Sequence, residues 1–174
     1  MMPESRIVPV WHDQIHMRVL SKGRGPAVVF FHGPWGLAWD PFLDELARSF
    51  TVHAPEHPGT SPGRPDDVYH LDGVWDLTLC HDELLDKLGL SNAAFVGHSF
   101  GGMVACEVAA AHPRRVSRLV LIDALGFWRD DAPIPNWMLM PHGDLAGQVF
   151  RDGDGEAAHR MFPVPEDPEA RVMA

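Results

Sequence analysis

The 174 residues hold two cysteines, 14 basic side chains and no apolar run near the roughly 18 residues that a membrane-crossing helix needs. Each shortage excludes something. Two cysteines, Cys80 and Cys106, are too few for a disulfide framework and fit a reducing compartment. The basic residues stand singly or in pairs against 24 acidic ones, for a formal net charge of -10, so no patch exists to neutralise a phosphate backbone and a nucleic-acid partner is not expected. No closely spaced set of His and Cys suggests a metal site, and nothing implies an organic cofactor. The start, Met1 to Asp13, lacks the basic-then-apolar layout of a signal peptide. The expectation is a soluble, cytoplasmic protein with no membrane partner.

What is present is a well-supplied core: 45% of the residues are hydrophobic and 22% charged, the balance of a globular domain. Three continuous apolar runs, Ala27 to Phe31, Ala93 to Val96 and Leu119 to Ile122, lack polar alternation and read as strands buried on both faces of a parallel sheet. Weaker strands are predicted over Ile15 to Leu20 and Phe50 to Ala54. Helical spacing predicts a helix from Asp72 to Leu88, stopped by Gly89, and another from Phe100 to about His112, ended by Pro113. A shorter helix over Pro41 to Ser49 has Asp40 as its N-cap and Pro41 at the first helical position. Alternating strands and helices predict an α/β fold with a mostly parallel sheet flanked by helices. After Gly126 the composition shifts to Pro133, Pro135, Pro141, Pro163, Pro165 and Pro168 with several Met and Trp residues. That segment reads as short helices, Asp144 to Phe150 and Glu156 to Met161, joined by proline turns.

Chemistry concentrates where the second strong strand meets a helix. Gly97-x-Ser99-x-Gly101 is the pattern of a nucleophile elbow, in which the serine sits on a sharp strained turn and side chains at either glycine would strike neighbouring backbone. The helix starting at Phe100 aims its free N–H groups and dipole at the site. Other glycine motifs fail on single residues. A dinucleotide fingerprint needs glycine where Ser99 stands, and a phosphate-binding loop needs Lys then Ser or Thr after Gly102, where the sequence has Met103-Val104. The first strong strand ends in His32-Gly33-Pro34-Trp35-Gly36, at the edge of the sheet where a second oxyanion donor would originate.

These two motifs, with His57-Pro58-Gly59-Thr60 between them, resemble the α/β-hydrolase superfamily, and most closely its small esterases and C–C hydrolases with a helical cap after the sixth strand. The resemblance implies a core over residues 1–126 and a partial helical cap over 127–174. It implies Ser99 as nucleophile and the backbone N–H of Phe100 as an oxyanion donor. Relatives commonly take the second donor from the residue after the His-Gly pair. Here that is Pro34, which has no N–H, so Trp35 is the nearest substitute. His32, Gly33, Gly97, His98 and Gly101 support the motif, with the His98 side chain expected to point into supporting structure.

A serine hydroxyl needs a histidine base oriented by a carboxylate, and in this fold the order is Ser, acid, His. The family places that histidine after the last strand, and neither of the last two strands is visible after Ile122. The chain is therefore expected to be C-terminally truncated relative to that family. Asp123, directly after the third strong strand, is the candidate acid, or else caps the following turn. His112 sits at a helix end, and His142 and His159 fall in the cap-like segment. Three readings follow. The first is a serine hydrolase acting on a small apolar carboxylic ester or similar carbonyl compound, its cap lined by Trp128, Trp137, Met138, Leu139 and Met140. The second is a non-catalytic domain that forms a homodimer through an exposed sheet edge or binds a completing partner. The third keeps the fold but runs lyase or cofactor-free peroxidase chemistry.

Overall fold

Continuous apolar runs require two covered faces, and the sheet of the computed structural model supplies them for Ala27 to Phe31 and Ala93 to Val96. Residues 2–131, 133, 136 and 139–161 are described. In chain order they form β1 (Glu4–Val10), β2 (Ile15–Lys22), β3 (Ala27–Phe31), α1 (Pro41–Leu46), β4 (Thr51–Pro55), a 3-10 turn (Pro65–His70) and α2 (Val74–Lys87). Then come β5 (Ala93–His98), α3 (Phe100–Ala111), a second 3-10 turn (Pro113–Arg115), β6 (Val116–Ile122), α4 (His142–Val149) and α5 (Glu156–Met161). The sheet order is β1-β2-β4-β3-β5-β6. Strands β4, β3, β5 and β6 run parallel, while β2 is antiparallel to both β1 and β4. The chain divides into two compact units, Met1–Phe127 and Trp128–Ala174.

Alternate residues of β3 serve opposite faces. Val29 and Phe31 pack with Leu77 and Leu85 of α2, Phe95 of β5, and Val104 and Val108 of α3. Val28 and Phe30 pack with Leu43 of α1 and with Val52, Ala54 and Val96 on the other side. Each such side chain contributes about 1.5–3 kcal/mol by leaving water, which is why an unbroken apolar run is stable here. Local signals set the helix ends. The Asp40 carboxylate accepts the Leu43 N–H at 2.9 Å to open α1, and Gly89, at φ +71°, follows the end of α2. Helix α1 stops at Leu46 rather than Ser49, and α4 starts at His142, two residues before the expected Asp144.

Two elements differ from the sequence reading. Strand β1 carries no continuous or alternating signal, since Glu4 to Ile7 are exposed and only Val8 and Val10 are buried. Its Pro9 is tolerated because β1 is an edge strand whose outer N–H positions need no partner. Strand β6 has the expected apolar sequence but not the expected burial. It neighbours β5 alone, and Leu119, Val120 and Leu121 are 39, 48 and 39% exposed. No strand follows it among the described residues. Pro135, Pro163, Pro165, Pro168, Trp137 and Met138 lie outside the described residues.

Candidate active site

The turn between β5 and α3 is built by sterics. Ser99 adopts φ 53°, ψ -119°, a conformation that costs an L-residue about 1–3 kcal/mol and persists only where its surroundings impose it. Backbone bonds do so: the Ser99 N–H donates to the Ile122 carbonyl at 2.9 Å, and the Ser99 carbonyl accepts from Gly102 and Leu125, each at 3.0 Å, and from Met103 at 3.4 Å. A Cβ on Gly97 would stand 2.6 Å from the Gly101 carbonyl oxygen, and one on Gly101 would stand 2.2 Å from that of Phe31. The glycines are therefore required by close approach between β5, α3 and the end of β3. Helix α3 leaves from Ser99, so its first N–H groups lack intrahelical partners and carry the positive end of the helix dipole.

The end of β3 brings His32 and Gly33 against this turn. A Cβ on Gly33 would lie 3.3 Å from Nδ1 of His98 and 3.6 Å from Cβ of Ser99, so the His-Gly loop borders the serine. Pro34 and Trp35 follow on the surface, with Trp35 64% exposed. His98 is exposed beside Gly33, not turned into supporting structure as its place in the motif suggested. Asp123 is exposed, at φ +45°, between Ile122 and Leu125, both of whose backbones bond that of Ser99. The acid candidate thus sits in the segment that holds the serine turn. His112 caps the far end of the 12-residue helix α3, about 18 Å from Ser99 along its axis. His142 and His159 belong to the second compact unit.

Beneath the His-Gly loop lies a histidine chain that the sequence did not announce. An amide N–H can only donate, so the His57 N–H, 3.0 Å from Nε2 of His32, fixes that nitrogen as an acceptor. The proton of neutral His32 is then on Nδ1, donated to the Gly33 carbonyl at 2.6 Å. A carbonyl can only accept, so Nε2–H of His57 donates to the His32 carbonyl at 3.0 Å. Nδ1 of His57 accordingly accepts from Nε2–H of His81, 2.9 Å away on α2. All three rings are buried and held neutral. Burial drives His81 from 6.5 to about 3, pushes His57 well below 6.5 with help from its two histidine neighbours, and lowers His32. The His57 ring also meets Phe100 edge-on, with centroids 5.3 Å apart, so one network touches both the His-Gly loop and the residue after Ser99.

The same turn is anchored from the other side. Glu56, 1% exposed, takes a two-pronged hydrogen bond from Arg18, with Nε at 2.9 Å from Oε2 and Nη2 on Oε1. Removing the guanidinium strands a buried carboxylate. Arg18→Ala is expected to cost about 2–3 kcal/mol, below the value for a fully buried pair because Arg18 is partly solvated, and urea unfolding at pH 7 measures it. Neither Arg18 nor His81 carried a motif in the sequence.

A strained serine between a buried parallel strand and a helix N-terminus, bordered by a His-Gly loop from the adjacent strand, defines a class: the nucleophile-elbow hydrolases of α/β architecture. Comparison with known proteins agrees. A family model described as "alpha/beta hydrolase fold" matches residues 26–148, and the chain belongs to that family. It is 36% identical over 119 residues to a 2-hydroxymuconate semialdehyde hydrolase from a Pseudomonas species, covering 64% of this chain and 41% of the relative. It is 37% identical over 113 residues to a pimeloyl-(acyl-carrier protein) methyl ester esterase from Chromobacterium violaceum, covering 62% of this chain and 41% of the relative. The structure of naproxen esterase from Bacillus subtilis superposes with a TM-score of 0.66 at 17% identity, over 87% of this chain and 51% of that one, a likeness of fold. The chain spans about two fifths of the length of the curated relatives it matches. No helix among the described residues is long and apolar enough to cross a membrane.

Proposed function

We propose that Ser99 is the nucleophile of a serine hydrolase acting on a carboxylic ester or similar small carbonyl compound. The observation that carries this reading is the Ser99 backbone, held in a strained turn at the head of α3 by bonds to Ile122, Gly102 and Leu125. In the proposed reaction Oγ attacks the carbonyl carbon, and the oxygen that gains charge is received by the N–H of Phe100 and, since Pro34 offers none, by that of Trp35. The leaving alkoxide departs protonated, and water then releases the acyl group from Ser99. Asp123 is the proposed acid and the segment 127–174 the proposed start of a cap. The two cysteines, both free, suit a cytoplasmic setting.

The proton of Oγ must go to a base. Neither His32 nor His57 can take it, because both nitrogens of each neutral ring are committed in the network described above. The family places the base beyond β6. The exposed, one-sided β6 supports the same view, since its apolar faces suit further polypeptide, whether later sequence, a second copy or a partner. Residues 1–174 are therefore expected to hydrolyse an activated acetyl ester only at the level left by an oxyanion hole without its base, roughly 10³–10⁴ over water. Stopped-rate comparison with Ser99→Ala tests this. A large serine-dependent rate would show that a base is already in place and would direct attention to His142 or His159.

A further inference from the structure

A small pocket opens beside this site within the first compact unit. Its volume is about 200 Å³, and Pro34 of the His-Gly loop and Phe100 of the serine turn both line it. The rest of the wall is mainly Val68, Leu71 and Leu77, from the first 3-10 turn to α2. Pro58 and two polar side chains, His57 and Thr60, complete the lining, and both polar side chains are already engaged. The Thr60 hydroxyl donates to the His57 carbonyl at 2.7 Å, and the His57 ring is bonded to His81 and to the His32 carbonyl. An anionic or other hydrogen-bond-accepting group entering here would surrender water without gaining a donor from these side chains, whose N–H and O–H protons are already given away. An apolar group would lose nothing.

Size narrows the occupant further. A cavity of about 150 Å³ accepts benzene, whereas sites for drug-sized ligands run from about 300 Å³ upward. A pocket of 200 Å³ therefore suits one ring or a short alkyl group and not a whole larger ligand. We propose that this pocket is the subsite for a single small apolar, uncharged substituent of the carbonyl substrate, with Val68, Leu71 and Leu77 setting its size limit. The assignment of the occupant as part of a substrate rests on the hydrolase reading of Ser99, because Phe100, the proposed oxyanion donor, and Pro34, the neighbour of Trp35, line the pocket. Leu77 and Val68 are then specificity-determining residues.

Binding can be read without turnover. Toluene titrated into the methyl-labelled chain is expected to shift the resonances of Val68, Leu71 and Leu77 saturably, in the wild type and in Ser99→Ala alike. Benzoate, the same ring with a charge, should bind at least tenfold more weakly. Val68→Trp, at a partly exposed wall position, should fill the pocket and lower toluene affinity at least tenfold, and Leu71→Phe gives an independent filling variant should the first not fold. Shifts that fail to saturate, equal binding of benzoate, or unchanged affinity in a folded filling variant would each overturn the proposal. The two readings separate cleanly: saturable toluene binding with a fluorophosphonate captured by a residue other than Ser99 leaves the pocket and removes the hydrolase reading, while capture by Ser99 without toluene binding does the reverse.

Discussion

Gly101→Ala is expected to lower stability by about 4 kcal/mol or more, so that little folded protein remains, although it adds one methyl group to a helix where alanine is the better helix former. The added Cβ would stand 2.2 Å from the carbonyl oxygen and 2.4 Å from the carbonyl carbon of Phe31, and 2.4 Å from the carbonyl oxygen of His32. All three are backbone atoms, so no rotamer change relieves the clash. The end of β3 would have to move, and with it the His-Gly loop and the Phe31 side chain that is fully buried in the core. Gly147 in α4 is the control, because nothing lies within 4 Å of the corresponding position there. Gly147→Ala should be neutral or stabilising by up to about 1 kcal/mol. Urea unfolding of the two variants beside the wild type checks the contrast, and a Gly101→Ala protein of near-normal stability would show that α3 does not approach β3 as closely as described.

The second large effect is on pH. His57 and His81 are neutral in the folded protein with their titrations pushed below 6.5, so below that pH the unfolded chain binds protons that the folded one does not. Stability rises with pH wherever the unfolded state holds more protons. The histidine contribution is thus undiminished above about pH 6.5 and is lost as pH falls, in the case of His81 until about pH 3. Each group that follows this pattern removes about 1.4 kcal/mol per pH unit, so the pair removes about 2.7 kcal/mol for every unit below 6.5. Urea midpoints measured at pH 7.5, 6.5, 5.5 and 5.0 should fall steeply over the last two steps. In His81→Gln the amide can still donate to Nδ1 of His57 but does not titrate, and the slope should drop by about 1.4 kcal/mol per unit. A flat profile, or an unchanged slope in that variant, would contradict the neutral network.

The contrast between these two sites shows what a sequence can disclose. Gly97, Ser99 and Gly101 were legible because their constraint is local: a tight strand-to-helix turn dictates residue types at fixed spacing. The runs at β3 and β5 were legible because double-sided burial leaves no polar alternation. His81 was not, since a histidine within an amphipathic helix gives no sign that its ring meets a loop 24 residues earlier, and only the placement of α2 across β3 joins them. Strand β1 carries no sequence signal for an opposite reason, being an edge strand with a proline and exposed polar residues. The sequence of β6 was misleading about burial, because its apolar run describes a strand meant to be covered, and whether cover is present depends on polypeptide beyond it. Asp123 lies between these cases. Its position after a strand was readable, but its proximity to Ser99 comes from backbone bonds on either side of it.

Ser99 is the proposed reacting group, and the most direct measurement of that role is the site of covalent capture. After prolonged incubation with a fluorophosphonate, peptide mapping by mass spectrometry should find a single adduct on the peptide containing Ser99. The same treatment of Ser99→Ala should leave that peptide unmodified. An adduct that persists in the variant, or one carried by another residue instead of Ser99, would contradict the account.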